Sequence, residues 1–247
     1  MRVLAIETAT PFAGCAVVDE TGVLAESTVR APMRHLEWLV PAIDGILDGL
    51  GLGPEAVEAV AVSRGPGGFT GLRIGIATAC AWARTRGVPL LGVGTLEALA
   101  SVAGPCGLLL PVLDLYRGEV AGALYRAAAD GPPECLMEPL VALPGVVAEE
   151  AAAVVRATRS PAAAPDPVVV IGDGLIRHGP ALLAALGPRA QAGGPHLHPR
   201  AAAVGLLAHP RLASGEHDDP LALLPSYGRR PEARPWQETP GRAGNGA

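Results

Sequence analysis

Val3-Leu4-Ala5-Ile6-Glu7-Thr8-Ala9-Thr10-Pro11, followed by a second apolar run from Ala13 to Val18, decides the fold. Four apolar residues lead into an acid, a short polar turn follows, and the chain returns as another apolar run. Short apolar runs bounded by turn residues are the signature of buried paired strands. The order recurs in the second half: Leu108 to Leu113 ends on Asp114, a turn falls at Gly118, and Glu119 to Tyr125 returns. A strand–acid–turn–strand unit written twice predicts two related half-domains facing each other.

Outward from the first unit, Asp19-Glu20-Thr21-Gly22 makes a turn and Val23 to Val29 a third strand. Leu36, Leu39, Val40, Ile43, Ile46, Leu47 and Leu50 recur at helical intervals, and Gly51 and Gly53 end that helix. A strand over Val57–Ser63, a glycine loop, a helix from Thr70 to Arg86, a strand over Pro89–Val93 and a short helix over Leu96–Val102 complete the half. After an antiparallel start, strands alternating with helices predict parallel pairing, hence an α/β fold. We expect a first lobe over 1–104, a smaller second lobe over 105–230 and an unstructured tail over 231–247. Ser160 to Pro167 reads as a Pro/Ala surface loop, and Val168 to Ile171 as a strand entering a tight turn at Gly172.

Composition narrows the function classes. The 247 residues are 49% hydrophobic but 3% aromatic, so the core must be aliphatic. Net charge is −5, which argues against this chain gripping nucleic acid alone, since phosphate contacts need a basic face. The Arg229, Arg230 and Arg234 cluster is the exception. Cys15, Cys80, Cys106 and Cys135 are scattered, with no CxxC pair for zinc or redox chemistry. Glu7 interrupts the first apolar stretch, and no apolar run approaches the roughly 20 residues of a membrane helix. We therefore expect a cytoplasmic protein with free thiols and no membrane contact.

Three features could carry chemistry. Gly65-Pro66-Gly67-Gly68-Phe69-Thr70-Gly71 joins a strand to a helix, where glycines allow close backbone approach and a helix N-terminus offers N–H groups to an anion. It lacks the GK[ST] of a P-loop. Gly75, Ala79 and Ala83 then form a small-residue stripe, on which either the sheet or another helix could pack. The histidines, His196 and His198 included, offer no third metal ligand.

At this point the chain resembles the TsaB (YeaZ) family. The resemblance rests on seven ordered segments: VLAIETAT at Val3, HLEWLVPAID at His35, GPGGFTGLRIG at Gly65, GVGTLEALA at Gly92, LDLYRGEV at Leu113, VIGDGL at Val170 and LLPSYGRRPEA at Leu223. It implies two ribonuclease-H-like half-domains of the actin/Hsp70/sugar-kinase (ASKHA) type. It also implies pairing with a catalytic paralogue, TsaD, and with an ATPase, TsaE, in attaching threonylcarbamoyl to the adenosine beside the anticodon in tRNAs reading codons that start with A. tRNA would be met only through the complex, and the chain alone could pair with itself.

Pairing in that family uses helices of the first lobe, which makes His35, Leu39, Gly71, Arg73, Gly75 and Ala79 the implied interface. The family's catalytic paralogue holds a metal through two histidines in an NHLEGH-type segment; Thr95 and Leu99 stand at those positions here, and leucine cannot ligate a metal. The resemblance thus implies a non-catalytic subunit with no cofactor and no metal. A residual nucleotide site would use Glu7, Thr8, Gly67, Asp114 and Gly172. The preferred reading of Glu7 and Asp114 is that they cap turns.

Overall fold

A computed structural model describes residues 1–31, 34–104, 107–128, 131–158 and 167–228. The opening apolar run forms β1 (Val3–Glu7), paired antiparallel to β2 (Phe12–Asp19), which pairs antiparallel to β3 (Gly22–Arg30). Helix α1 (His35–Gly49) crosses back, and β4 (Ala59–Gly65) joins β1 in parallel. Helix α2 (Phe69–Arg86) returns to β5 (Leu90–Gly94), parallel to β4, and α3 (Thr95–Val102) follows. The strand order is β3-β2-β1-β4-β5.

The second half repeats this plan. β6 (Leu108–Asp114), β7 (Val120–Arg126) and β8 (Glu134–Ala142) form the antiparallel meander. After α4 (Pro144–Thr158), β9 (Val168–Ile171) pairs parallel to β6; after α5 (Gly174–Leu186), β10 (Ala190–Ala192) pairs parallel to β9. Listed from the meander edge the order is β8-β7-β6-β9-β10, the first order transposed. The expected pair of ribonuclease-H-like α/β half-domains of the ASKHA type is the observed fold.

Side-chain alternation along the strands separates two faces. In the first sheet Leu4, Ile6, Val60 and Val62 meet Leu39, Ile43 and Leu47 of α1 and Ile76, Ala79 and Ala83 of α2. Val3, Ala5, Ala59 and Ala61 point the other way, onto α6 (Ala201–Ala213). Residues 201–213 were expected to belong to the second lobe, but their helix lies on the first sheet. Its reason is local: Ala201, Ala202, Ala203 and Gly205 are small enough to seat a helix on a strand surface, and a Cβ at Gly205 would lie 2.8 Å from Val18. In exchange, Leu96, Leu99 and Ala100 of α3 pack on Leu109, Leu113, Ala121 and Ile171 of the second sheet. Each half thus lends its last helix to the other.

Periodicity alone did not reveal β8, β10 or α4. Residues 160–166 of the loop expected over 160–167, the tail over 231–247, Cys106, and Arg229, Arg230 and Arg234 lie outside the described residues.

Candidate functional site

Two groups of residues singled out from the sequence come together around the turn after β1. Glu7 ends that strand at 1% exposure, and its Oε1 accepts the Ala9 N–H at 2.6 Å. Burial pushes the carboxyl up to about 7, with Ser63 and the Ala9 N–H pulling partly back. Glu7 Oε2 and the buried Ser63 hydroxyl lack a geometrically sound partner among the described residues.

The next three residues hold both outer helices. The Thr8 hydroxyl donates to the Gly71 carbonyl at 2.8 Å, and the Gly68 N–H donates to the Ala9 carbonyl at 2.7 Å. His35 Nε2 lies 3.0 Å from the Thr10 carbonyl, in position to donate to it. Glycine is required because backbone and turn touch: a Cβ would lie 2.4 Å from Ala9 O at Gly67 and 2.0 Å from Thr8 O at Gly71. At Gly75 it would lie 2.2 Å from Thr8 Oγ1. The glycine loop and Gly75 therefore pack on this chain's own turn, and Ala79 and Ala83 on its own sheet.

Of the residues of the implied interface, His35, Leu39, Gly71, Gly75 and Ala79 are buried within the chain and Arg73 is on the outer face. The outer face carries other apolar residues instead. Leu36 and Val40 of α1 are 68% and 49% exposed, and Phe69 of α2 is 54% exposed. Leu36 and Val40 were expected on the inward stripe of α1, where Leu39, Ile43 and Leu47 are buried and Ile46 and Leu50 pack against the core in part. Between the helices runs a shallow groove of about 420 Å³, lined by Leu36, Phe69, Thr70, Arg73, Ile74 and Ala77 among others. The signal in the sequence was a surplus: apolar positions too many for one face of α1.

In the second half Asp114 ends β6, as Glu7 ends β1. Its Oδ1 accepts the Tyr116 N–H at 2.8 Å, and its Oδ2 lies 3.3 Å from Arg177. His178 Nε2 is 3.6 Å from Oδ1. Asp173 Oδ1 accepts the Asp114 N–H at 3.0 Å, and burial pushes the Asp173 carboxyl up, with the charge of Asp114 adding to it. Gly172 has φ 98°, and a Cβ there would lie 2.4 Å from Val112 O. Both acids thus carry the i to i+2 bond of a turn, Glu7 to Ala9 and Asp114 to Tyr116.

Thr95 and Leu99 sit in α3, both fully buried, with Leu99 in the core of the second sheet. His198, one of the two closely spaced histidines, stacks on Phe12 with ring centroids 3.9 Å apart. Among the described residues no three His, Cys, Asp or Glu side chains converge to hold a metal ion, and no helix is long and apolar enough to cross a membrane.

Comparison with known proteins adds the family. Residues 20–172 match the family model for TsaD, tRNA N6-adenosine threonylcarbamoyltransferase. The chain is 33% identical over 127 residues to the Bacillus subtilis tRNA threonylcarbamoyladenosine biosynthesis protein TsaB, covering 51% of this chain and 56% of that one. It is 35% identical over 134 residues to the Escherichia coli protein of the same name, covering 53% and 58%. The matches therefore span a little over half the length of these curated relatives. The solved structure of YeaZ from Pseudomonas aeruginosa superposes with a TM-score of 0.77 at 25% identity, covering 92% of this chain and 99% of that one. The chain belongs to the TsaB (YeaZ) family, within the group described by the threonylcarbamoyltransferase model.

Proposed function

We propose that this chain is a non-catalytic scaffold subunit of the machinery that attaches threonylcarbamoyl to the adenosine beside the anticodon of tRNAs reading codons that start with A. The outer face of α1 and α2 takes the TsaD-type catalytic partner, and a TsaE-type ATPase joins the pair when ATP is present. tRNA is met through the assembled complex, in the cytoplasm.

The observation that carries this reading is the face itself. Leu36, Val40 and Phe69 stay exposed on neighbouring helices whose inner faces are fully engaged. Contiguous apolar surface of this kind marks an interaction site. Names of the TsaB relatives support the process, and the buried Leu99 supports the lack of chemistry, because the position that would carry a metal ligand in the paralogue is a core residue here. Glu7 and Asp114 each hold a turn through one carboxylate oxygen, which supports a structural role for both.

The test mixes the purified chain with a TsaD-type subunit and measures co-elution and binding. A stable heterodimer is expected, with Leu36→Asp abolishing it. Formation of the modified nucleoside by this chain alone, from threonylcarbamoyl-AMP and tRNA, would overturn the scaffold reading. So would a failure to associate.

A further inference from the structure

The whole chain has two Phe and three Tyr, and one of each meets at a single surface point. The residues after α6 run back across the parallel strands of the first sheet. The Asp218 N–H donates to the Leu90 carbonyl at 2.7 Å, and Asp218 Oδ2 accepts the Gly92 N–H at 2.7 Å. The Ser226 N–H donates to the Arg64 carbonyl at 2.6 Å. A Cβ on Gly65 would lie 2.0 Å from Ser226 O, so the glycine loop is also shaped to let this strap lie flat.

The strap delivers Tyr227 to the first turn of α2. Its ring stacks on Phe69 with centroids 5.4 Å apart at 20°. Its hydroxyl accepts Arg73 Nε at 3.2 Å, and the Arg73 guanidinium lies 3.8 Å over the Phe69 ring. Three side chains are layered beside the groove between α1 and α2, yet the layer is not sealed: Phe69 keeps 54% of its surface exposed. Nor is its charge neutralised. Among the described residues Arg73 makes no ion pair, and Glu37 on α1 is held by Arg34 at 3.0 Å. Stacking leaves the outer edge of a guanidinium open, and that planar edge matches a carboxylate with two parallel bonds. Tyr, Arg and large aromatics at the centre of an apolar patch are also the usual composition of the few residues that dominate a protein interface.

We infer that Phe69, Arg73 and Tyr227 form the energetic centre of the partner-binding face, that the strap is therefore part of that interface, and that the partner presents a carboxylate to Arg73 between apolar side chains. This rests on the scaffold reading above and adds the residues and the partner chemistry. A second copy of this chain is the poorer match, because a two-fold pairing sets each patch against itself and brings cation towards cation.

The experiment measures affinity of the full chain for the TsaD-type subunit by calorimetry, with self-association followed by sedimentation. Tyr227→Ala, Phe69→Ala and Arg73→Glu are each expected to weaken the heterodimer by about thirtyfold or more. Arg73→Lys, which keeps charge but not the planar fork, is expected to fall between. Tyr116→Ala, an exposed tyrosine of the second half, is the control and should bind like the original chain. Arg73→Glu lies on the outer face of a helix and keeps the inference testable if Tyr227→Ala loosens the strap. If the original chain binds and the three variants bind equally well, the inference fails while the scaffold reading stands. If the original chain does not bind, the scaffold reading fails first. If the variants disturb self-association only, the patch serves a second copy and the inference is overturned.

Discussion

The Thr8 hydroxyl donates to the Gly71 carbonyl at 2.8 Å, joining the turn after β1 to the first turn of α2. The contact places a helix N-terminus directly on a strand end, and it works only because glycine at 71 and 75 lets the backbones close. Through Ala9 and Thr10 the same turn also holds the glycine loop and α1. One four-residue turn thereby sets the spacing of the two helices whose outer faces form the proposed interface.

Alanine at these glycines should separate backbone crowding from side-chain crowding. At Gly71 the new methyl meets a carbonyl oxygen at 2.0 Å, and at Gly75 it meets the Thr8 hydroxyl at 2.2 Å. Each change alone is expected to cost about 2–3 kcal/mol, overpacking outweighing the helix-propensity gain. Thr8→Ala should recover most of the Gly75→Ala loss and little of the Gly71→Ala loss. A urea-denaturation double-mutant cycle checks this, and equal recovery at both sites would contradict the geometry.

Glu7 makes a pH-dependent contribution of defined sign. Its carboxyl stands at about 7 in the folded protein against an ordinary 4.5, so the folded state holds the proton more tightly. The stabilisation from that proton is complete below pH 4.5 and is lost as pH rises through 7, about 3 kcal/mol in all. Glu7→Gln keeps an acceptor for the Ala9 N–H and removes the titration. Subtracting the variant's stability profile from the original's should leave a fall between about pH 4.5 and 7; a flat difference would refute the burial argument.

Glu26 fastens the exchanged helix. It sits on β3, pairs with the Arg200 guanidinium and accepts the Ala202 N–H at 3.0 Å, at the start of α6. Glu26→Ala removes a helix N-terminal acceptor and is expected to lower stability by about 1–2 kcal/mol. Hydrogen exchange should show the loss first in α6 and the facing strands. Protection lost uniformly across both halves would mean that the contact is not local.

Thiol reactivity should follow burial. Cys15 is fully buried and pushed up to about 12, while Cys135 is exposed yet pushed to about 11, mainly by desolvation and next by Glu138. In native protein at pH 8, iodoacetamide should modify Cys135 before Cys15. Cys135 should itself react at least tenfold more slowly than an ordinary thiol, whose thiolate fraction there is about a quarter. Labelling of Cys15 first would reverse the order that packing dictates.

The repeated strand–acid–turn–strand unit was legible because it is local. Strands read from apolar runs, turns from Gly, Pro and Asp, and α1 and α2 from their period. The site was less legible. Leu39, Gly75 and Ala79 stood out by spacing, and His35 only by resemblance, yet spacing does not say whether a small-residue stripe meets the chain's own turn or another molecule. Leu36 and Val40 share the apolar character of Leu39 and Ile43 and were counted with them, although they point the opposite way. Tyr227 lies 154 residues from Arg73, and nothing near it in the chain announces the contact.

By itself the sequence determined the element order of the first half, the strand–acid–turn–strand unit written twice and the side-chain chemistry at Thr95 and Leu99. These follow from short-range periodicity and residue chemistry. Tertiary structure decided that α3 and α6 cover each other's sheets, that the glycines close on the Thr8 turn, and that a strap brings Tyr227 to Phe69. The last two depend on which surfaces fit across 63 residues of chain, from Thr8 to Gly71, and across 154, from Arg73 to Tyr227, and packing complementarity at that range leaves no period in the sequence.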